Sequence, residues 1–526
     1  MSKHVAPLQQ FVVLPTRGIR AQSATSGTGL GAFLAGLTAV RSLATAKSFV
    51  ASVGLKMKAD FRVIHSLHED GAKLVEMSAD TAQDLLASQP GLRIVPVIYY
   101  QLARLRHEVE STLKAASAKA AKAAVIAKAA AVAAAKAVPR TAKVVVTITS
   151  AGDGSPVRAA TVVAFTDFAN KVGAQGVTNP QGVVKLALGT GATIERLYVY
   201  PKKGFWGALR QNVSARGGIA VALTPVALDF TDALRKYYGK SPDGAGTGVT
   251  VGVVDTGVGP HPDLTVDGGL NCVTGETDPN DYGDNGEGHG SHVGGIIAAH
   301  GTPPQGLRGL APGVKLRSYR VFGKGAEGAK GASSYDIARA IDQAMTDGCD
   351  LINLSLGGGP SDPATVSAIH DARQQGCLVV AAAGNDNRSP VSFPGADPLC
   401  IAISALGRKG TFPTGSVDEG DVTSPFGTDP DEYIAAFSNV GPEVNLTGTG
   451  VGILSTVPGG YAPMSGTSMA CPAVVGFAAR LLAQLPSVLS QPRDEDRSDA
   501  IAKALLQSAK DRGFPANLQG NGLPLA

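Results

Sequence analysis

The sequence predicts a multidomain chain. Its C-terminal part reads as an α/β domain, a central parallel sheet with helices on both faces, preceded by a small α+β domain and a small β-sandwich. Three observations carry this. Gly248 to Val258 (GVTVGVVDTGV) and Leu378 to Asn387 (LVVAAAGNDN) are apolar runs that end abruptly in polar turns, the pattern of strands buried on both faces. From Ala142 to Pro225 the apolar period is two, with glycine, proline and asparagine turns. From Phe11 to Gln101 strand and helix signals are mixed. The 526 residues suggest about three domains. With 44% apolar and 17% charged residues, the chain is too apolar to be disordered.

In order, residues 1–102 form the α+β unit, with a ferredoxin-like order of elements. FVVLP opens it as a strand, and FRVIHSL with AKLVEMS reads as a hairpin around Glu69-Asp70-Gly71. Ser78 caps a helix to Ser88 that places Ala82 and Leu85 on one side, and LRIVPVIYYQL is a final extended run. Residues 103–140 are rich in alanine and lysine, the composition of a semi-rigid helical linker that Pro139 ends. Residues 141–226 form the sandwich, read as five antiparallel strands: VVVTITS, ATVVAFTD, GVVKLAL, RLYVYPK and IAVALTP. Trp206, the only tryptophan, is expected to anchor a core or hinge rather than an exposed contact. The α/β domain takes residues 227–526.

The N-terminus has no basic start followed by an apolar core and a cleavage site. Residence in the cytoplasm and export by a non-standard route both stay open, so the compartment is unknown. Gly29 to Val40 is too short and too glycine-rich to span a bilayer, and no membrane partner is expected. The net charge of +4, and a lysine-alanine tract without arginine clusters or stacking aromatics, argue against nucleic acid as a partner. Five cysteines without close pairing do not form a disulfide framework.

Three stretches carry the chemistry. In SGTSMACP, small residues lead into Ser468 just before a helix-forming run, so its hydroxyl is expected to be exposed beside backbone N–H groups that lack helical partners. Pro472 is compatible with that helix if it lies in the first turn. Asp255 ends a buried strand, where α/β proteins place their chemistry. His289 and His292 lie on a glycine-flanked helix start, GHGSHVGG. A serine hydroxyl is a weak nucleophile at neutral pH, and a neighbouring imidazole can take its proton as it attacks.

DTGV, GHGSHVGG and GTSMACP, in that order, resemble the subtilisin family of serine endopeptidases over roughly residues 229–526. The resemblance implies Ser468 as nucleophile, His289 as general base and then acid, and Asp255 as the group that orients the imidazole and stabilises its cation. It implies an oxyanion donor in the Asn385 amide, beside the Ser468 backbone N–H. It implies a substrate-pairing strand with Ser355, Leu356 and Gly357, and an opposite wall with Ala382 and Gly384. His261 and His292 are expected to be structural, since only one imidazole can share the serine proton.

The first domain is similar in topology to the inhibitory propeptide of that family. Its extended Val97 to Leu102 segment would lie in the cleft by strand addition. The sandwich between the two departs from the usual layout, so processing would fall near Leu102 to His107 or around Val226 to Lys240. The expected function is a serine endopeptidase made as a zymogen. It would act on proteins or peptides with no required cofactor and no metal in its site, and its own N-terminal domain would be an intramolecular inhibitor. The alternatives are a protease that acts only on its own chain and a silent scaffold that binds through the sandwich. The acidic stretches Asp278 to Glu287 and Asp418 to Asp431 are candidate calcium ligands, more simply read as solvated loops.

Overall fold

The computed structural model of the chain describes residues 7–20, 29–103, 107–109, 111–112, 141–189, 192–325 and 328–525. Most of the expected helical linker, residues 113–140, lies outside them.

The C-terminal domain is built on an eight-stranded sheet. Its path runs Gly269–Asn271, Lys315–Arg320, Thr250–Asp255, Leu351–Leu354, Leu378–Ala382, Cys400–Arg408, Glu432–Ile434, and Val444–Thr449 also pairs with Cys400–Arg408. All neighbours are parallel except Glu432–Ile434. The apolar runs do not alternate with polar residues because successive side chains enter two different cores. Val251, Val253, Val380 and Ala382 pack with the helices His289–Ala298 and Thr467–Leu482. Val254, Ile352, Val379 and Ala381 pack with Ser334–Thr346 and Pro363–Gln374 on the other face. Both active-side helices therefore start at the carboxyl edge of the sheet, the edge that ends in Asp255.

The N-terminal unit is a four-stranded antiparallel sheet in the order Arg62–Ser66, Lys73–Met77, Gln9–Leu14, Arg93–Pro96. Phe11 and Val13 face its own helices in one core, whereas Val12, Leu14 and Leu74 join the core of Ser334–Thr346 and Pro363–Gln374. Both faces of this sheet are thus buried. Polar contacts border the second face: Arg20 with Asp342 at 2.7 Å, His65 Nδ1 with the Tyr335 hydroxyl at 2.8 Å, and the Ile19 N–H with Asp371 at 2.8 Å.

Two sheets enclose the core of the middle unit. One has the order Val183–Gly189, Thr141–Ser150, Ile219–Leu223; the other Ala208–Ser214, Thr193–Tyr200, Thr161–Asp167, Val172–Val177, Ser111–Thr112. This differs from the five antiparallel strands read from the sequence. Val172–Val177 and Ala208–Ser214 were not expected as strands, and Ile219–Leu223 pairs parallel to Thr141–Ser150. Ser111–Thr112, expected in the helical linker, is instead a short strand parallel to Val172–Val177.

The middle unit is fastened to the C-terminal domain by main-chain bonds, Leu209 N–H to Gly415 at 3.0 Å and Gly204 N–H to Tyr461 at 2.8 Å. Trp206 lies at this junction, 2% exposed, its ring edge-on to Phe230 with centroids 5.1 Å apart. Among the described residues no helix is long and apolar enough to cross a membrane.

Trp206→Ala leaves a large void at the junction and should cost about 3–5 kcal/mol. A denaturant titration followed by circular dichroism should show a lower midpoint with little change in slope. An unchanged midpoint would mean that this ring does not anchor the two units.

Candidate active site

Asp255 is the last residue of the central strand Thr250–Asp255 and is fully buried, with its Oδ1 accepting from the Thr256 N–H at 2.7 Å. The helix His289–Ala298 begins directly above the following turn. Gly290 approaches so closely that a Cβ there would lie 2.3 Å from the Gly257 carbonyl oxygen, so no larger residue fits. Its N–H donates to Thr256 Oγ1 at 2.8 Å. That contact sets His289 on Asp255: Nδ1 lies 2.8 and 3.0 Å from the two carboxylate oxygens. This fixes the tautomer with the proton on Nδ1 and leaves Nε2 as the free lone pair.

The start of this helix is braced by Asp284, which the sequence pattern places in a solvated loop. One of its oxygens accepts from the N–H groups of Gly286 and Gly288, and the other accepts from Ser291 Oγ at 2.8 Å. Burial raises its pKa against the pull of these bonds. His292 is fully buried; its Nε2 lies 3.0 Å from the carbonyls of Ile453 and Ala462, and burial lowers its pKa to about 3. His261 bridges the Asp263 N–H and the Gly460 carbonyl.

Ser468 is the second residue of the helix Thr467–Leu482. That helix packs on His289–Ala298, and Gly476 approaches the Ile297 Cα within 3.4 Å of where a Cβ would stand. His289 and Ser468 each lie eight residues before this contact in helices that start at the same edge. Thr467 donates through both N–H and Oγ1 to Asn385 Oδ1, each at 2.9 Å. The Asn385 carbonyl oxygen is thereby occupied and its Nδ2 is left buried without a partner. Gly384, at φ +106°, donates to Thr467 Oγ1, and Ala382 closes the buried strand before it. Through Thr467, Gly384 is thus linked to Asn385.

Two expectations about Ser468 are corrected. Pro472 is not in the first turn but one turn further on. Lacking an N–H, it leaves the Ser468 carbonyl without its helical donor. Ser355 Oγ supplies that bond at 2.9 Å, tying the strand wall to the serine backbone. Ser468 is also fully buried rather than exposed. Its Oγ points to Met469 Sδ at 3.5 Å, and His289 Nε2 is buried with no partner. Asp255 and His289 are therefore bonded, while the serine lies on the neighbouring helix end without a bond to the imidazole.

Ser468 is covered by the chain itself. The strand Tyr99–Leu102 lies between Ala332–Ser333 and Leu356–Gly357, antiparallel to both, with Leu102 opposite Leu356 and Gln101 opposite Gly357. The Ala103 N–H donates to the Ser355 carbonyl, and the Ser468 N–H donates to the Ala103 carbonyl, both at 3.2 Å. Tyr100 is fully buried: its hydroxyl donates to Asp362 Oδ2 at 2.7 Å, with the Pro360 carbonyl at 2.8 Å and the Phe393 ring 5.7 Å away. Burial and the adjacent Asp362 carboxylate push this hydroxyl well above its usual pKa, so it is a neutral donor. Asp362 was missed from sequence because Asp before Pro363 reads as a helix cap; it is one, accepting from the Ala364 and Thr365 N–H groups.

Within the acidic stretches, Asp281 pairs with Arg320, which also holds Glu276 just before them, and Asp429 and Asp431 pair with Arg408. Among the described residues no three carboxylates, histidines or cysteines are grouped to hold a metal. Cys471 is buried, with burial pushing its thiol pKa up.

The C-terminal part of the chain is similar to known proteins. The family model described as "Subtilase family" matches residues 246–522, more than half of the chain. Subtilisin BL of Lederbergia lenta is 38% identical over 244 residues, 46% of this chain and 79% of that protein. M-protease of Shouchella clausii is 38% identical over a stretch of the same length that covers 56% of it. The thermostable alkaline protease of Halalkalibacterium halodurans is 33% identical over 279 residues, 53% of this chain and 66% of that protein. With this likeness over residues 246–522, the part that holds Asp255, His289 and Ser468, the chain belongs to the subtilase family and is a serine endopeptidase.

Proposed function

We propose that the chain is made as a zymogen, and that residues 7–103 occupy its own active site until it cuts itself between Ala103 and Arg104. The observation that carries this is the bond from the Ser468 N–H to the Ala103 carbonyl. The reacting carbonyl of a substrate needs that donor, and residues 99–103 reach it as a strand paired on both edges. The expected boundary at residue 102 then shifts by one residue, to Ala103.

In this reading Ser468 Oγ turns about χ1 from Met469 toward His289 Nε2, which takes its proton as the oxygen attacks the Ala103 carbonyl carbon. Asp255 holds the imidazole by Nδ1 and stabilises the cation. The developing oxyanion is met by the Ser468 N–H and Asn385 Nδ2, whose freedom in the described structure leaves it available. The imidazolium gives its proton to the leaving nitrogen of Arg104. Water, deprotonated by the same imidazole, then releases the acyl group. Foreign peptides would take the same course once residues 7–103 have left, pairing with Ser355 to Gly357 and with Ala332–Ser333.

Two outcomes test this. Purified wild-type chain should show a new N-terminus at Arg104 by mass spectrometry, and Ser468→Ala should stay uncut and fail to bind a fluorophosphonate probe; a processed Ser468→Ala chain would refute self-cleavage. On peptide substrates, tyrosine four positions before the cut should be preferred over phenylalanine by about tenfold or more in kcat/KM, since a buried hydrogen bond to a carboxylate contributes about 1.5–3 kcal/mol. That preference should vanish in Asp362→Ala. Equal rates for the two peptides with the wild-type enzyme would exclude Asp362 as the selecting group.

A further inference from the structure

The sandwich has a second apolar surface. On the strand Thr161–Asp167, Val162 and Ala164 point into its core while Val163 and Phe165 point out, and Tyr198 and Leu209 join them on the outer face. This face does not look onto solvent. It carries the chain that continues beyond the scissile bond proposed above. His107, four residues beyond Ala103, sits in a socket of aromatic rings: its ring centroid is 4.4 Å from Tyr198, 5.4 Å from Phe168 and 6.5 Å from Phe165. Its N–H donates to the Tyr200 hydroxyl at 3.4 Å. Two residues on, the Val109 N–H donates to Gln175 Oε1 at 2.9 Å and its side chain packs on the same cluster. Ser111–Thr112 then adds to the sheet edge as a parallel strand.

The socket is built for a planar, neutral side chain. Arg196 already stacks on the Phe168 ring, 3.8 Å from its centroid, and donates to the Tyr198 hydroxyl. Burial first, then Arg196 and Lys171, hold the His107 pKa down to about 4. A cavity of about 440 Å³ connects this surface to the catalytic loops, bounded by His107, Tyr200 and Phe205 on one side and by Gly286 to Gly288 and Ser465 on the other. The sandwich thus walls the side of the active site toward which the leaving group departs.

We infer that the outer face of the sandwich is a binding site for the polypeptide on the leaving-group side of the cut, with its socket taking the side chain of His107 to position the Ala103–Arg104 bond for self-cleavage. This rests on the zymogen reading above. The chain is then gripped on both sides of the bond, by strand addition before it and by the socket after it. Such fixing raises the rate of an intramolecular step by removing unproductive orientations.

The test uses the full chain made by cell-free synthesis, with the product that begins at Arg104 followed over time by mass spectrometry. His107→Ala should slow its formation about tenfold or more, and His107→Phe, which fills the socket, should restore it. The thermal midpoint of the sandwich, measured in Ser468→Ala chains carrying each change, should stay constant. A wild-type rate in His107→Ala would overturn the inference while leaving the zymogen reading standing. A slowed rate that His107→Phe does not restore, accompanied by a lowered midpoint, would overturn it as well, in favour of a structural role. Absence of the Ala103–Arg104 cut in the wild-type chain would overturn the zymogen reading and this inference together.

Discussion

The structure depends on a short piece of backbone pairing. Residues 99–102 complete a sheet between Ala332–Ser333 and Leu356–Gly357, and every other relation between the N-terminal unit and the serine derives from that register. A strand has a period of two, so a shift by one residue would turn Tyr100 outward and put Gln101 against Asp362. The Tyr100 hydroxyl bond to Asp362 therefore acts as a register pin, and the register brings the Ala103 carbonyl, rather than its neighbour's, to the Ser468 N–H.

Around this pairing the proposed catalytic groups are held in a condition that costs free energy. His289 Nε2 and Asn385 Nδ2 are both buried without partners. A buried polar atom left unsatisfied typically costs about 1–3 kcal/mol. The surrounding bonds oblige them to stay so: Asp255 takes Nδ1 of the histidine, and Thr467 takes the oxygen of the asparagine amide. The idle atoms are the two that a reacting carbonyl and hydroxyl would satisfy, which is what preorganisation means in such a site.

The catalytic strands were legible in sequence because burial on both faces leaves an unmistakable apolar run ending in a polar turn, as in the stretch that closes on Asp255. Val172–Val177 and Ala208–Ser214 were not legible, since VGAQGV carries two glycines and ALRQNVS turns polar residues outward. Long-range compensation was also invisible. Pro472 was expected only in a first turn because the Ser355 hydroxyl that repairs the bond it removes lies 113 residues before Ser468, whose carbonyl it caps. The burial of Ser468 could not be read from its own neighbourhood, because the covering atoms come from Ala103. Asp284 looked like one acid among several in a loop; only folding shows it gathering donors under His289.

The N-terminal sheet, buried on both faces, is poorly suited to life apart from the domain it covers. Val12, Leu14, Ile19 and Leu74 are fully or almost fully shielded only because helices of the C-terminal domain lie on them. Once detached, that unit presents a greasy flank to water with nothing of its own to fold over it. If the proposed cut frees it, the unit would be prone to clumping and to digestion. Liberation would thus behave as a ratchet, driven forward by the poor solubility of the discarded partner as well as by loss of a peptide bond.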